Sequence, residues 1–321
     1  MWLFYTPIVI WIIGLTLRYR KLTFLSVNPG FPMSGLIGEQ KAESLKHLQS
    51  MPELARFEYV PEQKQDRISM VHQLMREHGY EFPVVLKPDA GQRGSNVAVI
   101  RSNQELARYL QDVSEPLLLQ EYVGGSEFGL FYVRDPNHDY GRLFSITEKT
   151  FPVVVGDGHQ ALEQLLMTNP RTHYMAQFLL NLHAHQLNRV LAPNEKLQVV
   201  EIGSHCRGSV FLDANHLITP ELEQAVHQIS SRIPGFYFGR FDVRVPSQQQ
   251  LQAGSNLKVL EVNGVTSEST NIYDPKHSLI DAYRIMFKQW QLAFSIGASN
   301  IKNGATAVTL AQFLRYLVKR D

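Results

Sequence analysis

Polar residues that could hold a metal ion lie on two short segments in the last third of the chain. Residues 239–245 and 257–264 are apolar, rich in β-branched side chains and strictly alternating, which predicts neighbouring β-strands. If the two strands pair, one face carries four polar side chains: Arg240, Asp242, Glu261 and Asn263. That face is rich in oxygen, while the opposite face is apolar.

Two carboxylates and a carboxamide form an oxygen-only ligand set, which suits Mg²⁺ or Mn²⁺ better than zinc. We therefore predict that Asp242, Glu261 and Asn263 are metal ligands. Since Mg²⁺ is usually held by one or two carboxylates together with substrate phosphates, we also expect a phosphate-binding part. The alternative interpretation is a strand pair whose polar residues simply face water, because alternation produces such faces routinely.

A candidate for the phosphate-binding part lies far upstream. The predicted strand at residues 82–88 carries Lys87 near its end, and a glycine-containing loop at 91–96 leads into another predicted strand. Such a loop can offer backbone N–H groups to a triphosphate, while the lysine supplies a point charge. The alternative is an ordinary hairpin, since Gly-x-x-Gly turns are common there.

A segment that could bind a nucleoside follows. The predicted strand at residues 117–123 breaks at two glycines, and Glu127 lies just beyond them. Free backbone groups on an extended segment can pair with an adenine edge, and a carboxylate can accept hydrogen bonds from ribose hydroxyls. A buried strand followed by a turn explains the same pattern equally well. Arg207, in the predicted loop at 203–209, is a candidate anion contact.

The composition narrows the class of protein. With 321 residues, 44% of them apolar, the chain can bury a substantial core and form two or three subdomains. The formal net charge is +1 and basic residues cluster only at 18–21, so we expect no nucleic-acid partner. The single cysteine excludes an intramolecular disulfide and fits a reducing, cytoplasmic location. The sequence leaves the oligomeric state open, a homodimer included.

The N-terminus begins with an apolar run at residues 2–17, followed by the basic residues Arg18, Arg20 and Lys21. The run is shorter than the roughly 20 residues that span a bilayer. It has no basic start and no small-residue cleavage site, so a cleaved signal peptide is not expected. Two interpretations stay open: residues 1–21 attach the chain to the cytoplasmic face of the membrane, or they pack on the protein itself.

Several local patterns predict where helices begin. Ser102 with Glu105 forms a capping box, and Thr219 followed by proline and acidic residues is typical of a helix N-terminus. An amphipathic helix is expected from Ser278 through Trp290.

Other segments are predicted from periodicity alone. Residues 22–28 and 199–202 have the composition of strands, and the region 171–196 has a helical pattern. That region carries three histidines that we expect on the polar face of a helix: His173, His183 and His185.

In chain order, the sequence offers a lysine-ended strand, a glycine loop, an adenine-type segment followed by an acid, and an Arg-x-Asp strand next to a Glu-x-Asn strand. With these motifs, residues 80–290 resemble the ATP-grasp superfamily, and most closely its carboxylate–amine ligase branch, which includes D-alanine–D-alanine ligase. Residues 152–159 are more similar to the equivalent part of cyanophycin synthetase.

The resemblance implies an α/β (α+β) protein with the ATP-grasp fold, in which two α+β subdomains grip ATP after a short α/β lobe. The implied organisation is an apolar segment at 1–21, a short lobe at 22–80, an ATP-grasp domain at 81–295 and a C-terminal helix at 296–321.

The resemblance also implies roles for individual residues. Asp242, Glu261 and Asn263 would bind Mg²⁺ or Mn²⁺, and Arg240, with Arg207, would stabilise an anionic intermediate. The residues implied in binding ATP are Lys87, Gly94, Ser95, Asn96, Gln120, Glu121, Val123, Glu127 and Lys149. Lys149 would be the second lysine that contacts the phosphates.

The sequence departs from the D-alanine ligase pattern on the substrate side. The N-terminal lobe is short, and Gly264-Val-Thr-Ser-Glu268 stands where those ligases have Ser-Pro-Gly after the asparagine. The substrate is therefore expected at the loops 28–39 and 266–273.

The function implied is an ATP-dependent ligase that joins a small-molecule carboxylate to an amine, or to a thiol, through an acyl phosphate, and releases ADP and phosphate. Two alternatives stay open. The same fold could transfer the γ-phosphoryl group to a hydroxyl, as a kinase does, or the chain could bind ATP without catalysis.

Overall fold

The structure is a computed structural model that describes residues 2–36, 40–62, 66–91, 94–173, 175–203 and 208–318. The helices are α1 (Trp2–Tyr19), α2 (Lys41–Leu45), α3 (Arg67–His78), α4 (Asn103–Asp112), α5 (Leu162–Thr168), α6 (Pro170–His173), α7 (Ala176–Leu182), α8 (Pro220–Ser231), α9 (Gln248–Gln252), α10 (Leu279–Lys302) and α11 (Leu310–Val318). The strands are β1 (Phe57–Val60), β2 (Val84–Pro88), β3 (Ala98–Ile100), β4 (Leu117–Glu121), β5 (Ser126–Val133), β6 (Arg142–Thr150), β7 (Val153–Val155), β8 (Lys196–Gln198), β9 (Val210–Asp213), β10 (Phe238–Val245) and β11 (Lys258–Asn263).

The chain forms two compact units. The first unit comprises residues 1–59, 123–148 and 212–321, and the second comprises 60–122 and 149–211. Both units mix helices with antiparallel strands, as the predicted fold class requires.

The first unit is built on a five-stranded sheet in the order β11-β10-β5-β6-β9. Its apolar face includes Phe131 and Phe238, whose rings meet edge to face. The long helix α10 packs against this core through Ala293, Phe294 and Ile296. The helix begins after Ser278, as predicted, and the Ser278 hydroxyl caps it by accepting a hydrogen bond from the backbone N–H of Asp281. It continues past the predicted end at Trp290 to Lys302.

The second unit contains a four-stranded sheet in the order β1-β4-β2-β3 and a two-stranded sheet of β7 and β8. Helices α3 and α4 cover an apolar core that includes Val71, Leu86 and Leu106. The predicted N-cap is confirmed at α4, where the Ser102 hydroxyl accepts from the backbone N–H of Glu105 at 3.2 Å. The reciprocal bond of the predicted capping box differs, because the Glu105 carboxylate accepts from the backbone N–H of Arg101 at 2.8 Å.

The strand predicted at residues 22–28 is wrong, because Thr23–Ser26 form a short 3₁₀ helix. This segment is buried against α10 instead of pairing with a strand, and the Thr23 hydroxyl donates to the carbonyl of Phe294 at 2.7 Å. A Cβ on Gly297 would lie 1.9 Å from the Thr23 carbonyl oxygen, so only glycine permits this approach. Apolar, β-branched composition signalled burial here, not a strand.

The predictions for residues 171–202 need two corrections. Among the described residues of this region, only those of α6 and α7 are helical, and His183 is buried, with Nε2 2.9 Å from the carbonyl oxygen of Val199. It therefore does not lie on a polar face, because its imidazole joins this segment to the chain beyond β8. The strand predicted at 199–202 lies instead at Lys196–Gln198, where it pairs with β7.

Helix α1 packs on α10 through Ile8 and Leu15, while Leu3, Ile10 and Leu17 are exposed. Among the described residues, no helix is both long and apolar enough to cross a membrane. The packing of one face on α10 is the second of the two interpretations that the sequence left open.

Candidate active site

The structure brings the predicted metal ligands together on paired strands. Strands β10 and β11 are antiparallel, with Asp242 opposite Glu261 and Arg240 opposite Asn263. Residues directly opposite each other in such a pair point to the same face of the sheet. A bulge follows at Asp242/Val243.

Arg240 and Asp242 form a bidentate ion pair on this face. Nε of Arg240 lies 2.7 Å from Oδ1 of Asp242, and Nη2 lies 3.2 Å from Oδ2. The two side chains are 16% and 8% exposed. Burial alone would lower the pKa of Arg240, but the Asp242 carboxylate raises it overall, so the guanidinium keeps its charge.

Gly129 on β5 makes room for this ion pair. It lies opposite Asp242, and a Cβ at this position would be 2.9 Å from Cδ of Arg240 and 3.4 Å from Oδ1 of Asp242. Any larger residue would push the guanidinium away from its carboxylate.

The other two predicted ligands have partners from the same region. Glu261 lies 3.8 Å from the ammonium of Lys41, a buried residue on α2, and the amide of Asn263 donates to Oδ2 of Asp242 at 3.5 Å. Within the described residues, no group of three His, Cys, Asp or Glu side chains could hold a metal. The predicted set instead combines two carboxylates with a carboxamide.

A second buried arginine lies on the same face of β10. Nε of Arg244 lies 3.1 Å from Oε2 of Glu127, its cross-strand partner on β5, and Nη1 donates to the carbonyl of Val123 at 2.7 Å. The side chains of the pair are 9% and 7% exposed. Arg244 therefore links the predicted ribose ligand to the predicted adenine segment.

Sequence reasoning missed both Arg244 and Lys41. The signal for Arg244 was available, because it lies two residues beyond Asp242 on a strand and must share its face. No comparable signal marks Lys41, since only tertiary packing brings α2 to β11.

A cavity of about 670 Å³ opens beside the Arg244–Glu127 pair. It is lined by residues of the adenine segment and of the neighbouring strands: Pro52, Glu53, Val123, Gly124, Gly125, Arg244, Pro246, Asn256, Leu257 and Lys258. Oε2 of Glu53 is buried there and has no hydrogen-bond partner within the part of the chain that the structure describes.

The second unit carries further predicted nucleotide ligands. Lys87 on β2 and Gln120 on β4 are buried, and the register places Val85 opposite Gln120 and Lys87 opposite Leu118. Lys87 and Gln120 therefore share a face of the sheet, because residues two apart on a strand point the same way. Glu121 ends β4, opposite Val84.

The remaining predicted ligands lie on loops and at a strand end. Gly94 and Asn96 adopt positive φ angles of 74° and 53° on either side of Ser95, in the turn that leads to β3. Lys149 is buried near the end of β6. Arg207 lies outside the described residues, as do residues 92 and 93 of the predicted phosphate loop.

The described parts of the two predicted substrate loops contact each other. The backbone N–H of Val265 donates to the carbonyl of Ser34 at 2.9 Å, and the Thr266 hydroxyl donates to the carbonyl of Gly35 at 3.1 Å. Residues 37–39 of the first loop lie outside the described residues. Arg240 reaches the second loop, where Nη1 donates to the carbonyl of Glu268 at 3.1 Å.

Comparison with known protein families gives a match for part of the chain. Residues 40–129 match the model of the RimK-like ATP-grasp domain. The matched residues make up less than a third of the chain. The predicted resemblance to the ATP-grasp superfamily and the predicted fold class are confirmed, and ATP is the nucleotide that ATP-grasp enzymes use.

Solved structures of ligases are similar to this chain over most of its length. A bifunctional glutathione synthetase from Pasteurella multocida has 16% identity and a TM-score of 0.40 over 81% of this chain and 38% of its own. D-Alanine–D-alanine ligase from Bacillus anthracis has 15% identity and a TM-score of 0.48, over 85% and 71%.

The D-alanine–D-alanine ligase from Coxiella burnetii has 10% identity and a TM-score of 0.45 over 90% of this chain. This chain spans 63% of the length of that ligase. No curated protein matches the sequence.

Proposed function

We propose that the chain is an ATP-dependent ligase that joins a small-molecule carboxylate to an amine through an acyl phosphate. The observation that supports this most directly is the position of Arg240. Its guanidinium contacts a predicted metal ligand, Asp242, and also the carbonyl of Glu268 on the predicted substrate loop. A fixed cation between these two regions suits the stabilisation of anionic oxygens on a reacting carboxyl group.

The donor set on β10 and β11 fits Mg²⁺ or Mn²⁺. It consists of oxygen atoms only, and it offers two carboxylates, Asp242 and Glu261, with the carboxamide of Asn263 beside them. When bound, the metal would neutralise charge on the phosphates of ATP. Both carboxylates already face a cation, so their charge is compensated in the protein itself.

We also propose contacts to each part of the nucleotide. We assign Lys87, Lys149 and the turn at 94–96 to the phosphates, and Gln120 with the backbone of Glu121 and Val123 to adenine. Glu127 would accept hydrogen bonds from the ribose hydroxyls, with Arg244 holding its carboxylate in place. Arg207 would contact an anionic intermediate.

The reaction then needs no side-chain nucleophile. An oxygen of the substrate carboxylate bonds to the γ-phosphorus as the bond from that phosphorus to the bridging oxygen of ADP breaks. The amine nitrogen next bonds to the acyl carbon, loses a proton and expels phosphate. Arg240 would stabilise negative charge on the substrate oxygens in both steps.

The test is phosphate release from ATP and Mg²⁺ with pooled amino acids, dipeptides and small carboxylates, comparing the parent with Glu261→Gln. We expect substrate-dependent release of ADP and phosphate, lost in the variant. The exposed Glu221→Gln is the matched control and should behave as the parent. ADP formed together with a phosphorylated acceptor would instead favour a kinase.

We further propose that α1 rests on the cytoplasmic face of the membrane. It exposes apolar side chains, Leu3, Val9, Ile10, Ile13 and Leu17, and the basic residues Arg18, Arg20 and Lys21 follow at its end, also exposed. This charge complements anionic lipids. In a flotation assay, we expect the parent chain to float with vesicles that contain phosphatidylserine. The double variant Ile10→Ser, Ile13→Ser should not float. Equal flotation of the parent and the double variant would contradict the proposal.

A further inference from the structure

The carboxylate of Glu268 is held by two tyrosine hydroxyls. Tyr5 on α1 donates to Oε1 at 2.7 Å, and Tyr273 donates to Oε2 at 2.8 Å. The two phenol oxygens are 3.1 Å apart. An ionised carboxylate has about four lone-pair sites, so two neutral donors leave it able to accept more hydrogen bonds.

The backbone on either side of Glu268 is also fixed. Gln289, a buried residue of α10, donates to the carbonyl of Ser267 at 2.9 Å and accepts from the backbone N–H of Ser269 at 2.9 Å. One side-chain amide therefore holds both neighbours of Glu268. Five hydrogen bonds from four side chains, Arg240 included, therefore orient Glu268 before any ligand arrives.

Glu268 lies at the edge of the reaction site and is partly exposed. Its carbonyl accepts from Arg240, and its charge is among those that raise the pKa of that arginine. Burial and the charge of Glu268 also raise the pKa of Tyr273, so the phenol stays protonated and remains a donor. Among the described residues, no cationic side chain lies within ion-pair distance of the Glu268 carboxylate.

We propose that Glu268 binds the ammonium group of the amine substrate, with Tyr5 and Tyr273 as positioning residues; this inference rests on the proposed ligase function. An amine of the amino-acid type reaches the site largely as an ammonium ion at neutral pH, and it must release one proton to water before its nitrogen can bond to the acyl carbon. Arg240 would stabilise the anionic oxygens of the reacting carboxyl group, and Glu268 provides a negative charge beside it. A fixed carboxylate that has no cation within ion-pair distance among the described residues is the chemistry that recognises such a group.

Through Tyr5, helix α1 is part of the proposed substrate site. The helix is fixed on α10 by Phe4 stacked on Tyr283, with ring centroids 5.3 Å apart, and by Trp11 packed on Phe287 at 5.1 Å. These contacts hold Tyr5 in reach of Glu268. The apolar N-terminal segment would thus have two faces with two roles, one toward the substrate loop and one toward lipid.

The test measures two reactions of the same acyl phosphate. Hydroxylamine, which is uncharged at neutral pH, traps the acyl phosphate as a hydroxamate without needing an ammonium site. For Glu268→Gln we expect the KM of the amine to rise about tenfold or more, with hydroxamate formation and the KM of ATP nearly unchanged. Tyr5→Phe should raise the amine KM by about threefold, whereas the exposed Tyr140→Phe should not.

The outcomes separate the two proposals. An active parent whose amine KM is unchanged in Glu268→Gln would overturn the role of Glu268 alone. An equal loss of hydroxamate formation would also overturn it, because Glu268 would then act on the first step or on the fold. A parent that forms neither product would overturn the ligase proposal, and with it the ammonium site.

Discussion

Two arginines on one face of β10 have the same kind of partner and different surroundings. Arg240 pairs with Asp242 on its own strand and reaches the partly exposed loop at Glu268. Arg244 pairs with Glu127 on the neighbouring strand and reaches the backbone of Val123. The first contact leads to the predicted substrate loop, while the second connects two parts of the predicted nucleotide site.

This difference shows that the role of a buried arginine depends on what its guanidinium contacts besides the paired carboxylate. Both guanidiniums are neutralised by a carboxylate, so pairing alone does not separate them. Their contacts to backbone carbonyls differ: Arg240 donates to Glu268 on the predicted substrate loop, and Arg244 donates to Val123 between β4 and β5. We therefore expect Arg240 to influence the chemical step and Arg244 to influence binding of ATP.

The largest effect is expected for Arg240→Lys. A lysine keeps the charge but loses the planar bidentate geometry, so we expect kcat to fall by about 10²–10³ with little change in the KM of ATP. Steady-state kinetics with ATP varied would check this. A variant with a raised KM and normal kcat would remove the distinction between the two arginines.

Arg244→Met and Glu127→Gln test the second pair through stability. Each single change leaves one partner uncompensated in a buried site, which we expect to cost about 3–5 kcal/mol. The double variant should cost less than the sum, since neither unpaired charge then remains. Urea unfolding of all four proteins measures the coupling, and strict additivity would contradict it.

Arg244→Lys tests whether Arg244 contributes to the binding of ATP. We expect the KM of ATP to rise about tenfold and the preference for ATP over 2′-deoxy-ATP to weaken, because Glu127 would no longer be held. The turnover of saturated enzyme should change little. A fall in kcat alone would place Arg244 with Arg240 in the chemistry.

The smallest effect is expected for Gly129→Ala. The new methyl group would crowd Cδ of Arg240, a flexible atom, so we expect a loss of about 1 kcal/mol in stability and a fall in kcat of several-fold. Gly14→Ala, where a Cβ meets nothing within 4 Å, is the control. Unchanged turnover in Gly129→Ala would show that the guanidinium position is not critical.

Local patterns predicted much of the first unit. The alternation in β10 and β11 identified both strands and the shared face of Asp242 and Glu261, and Thr219 caps α8 as expected. The same reasoning failed at residues 22–28 and at His183. In both cases packing against another element, and not the local pattern, decided the conformation or the environment.

The sequence by itself determined which side chains share a strand face, because the period of two is a property of the backbone. It also determined the oxygen-only composition of the candidate metal site, since residue types do not depend on the fold. Only the tertiary structure decided the partners: Lys41 beside Glu261, Arg244 against Glu127, and Tyr5 beside Glu268. These pairs join residues that are far apart in the chain, and no local regularity encodes such distances.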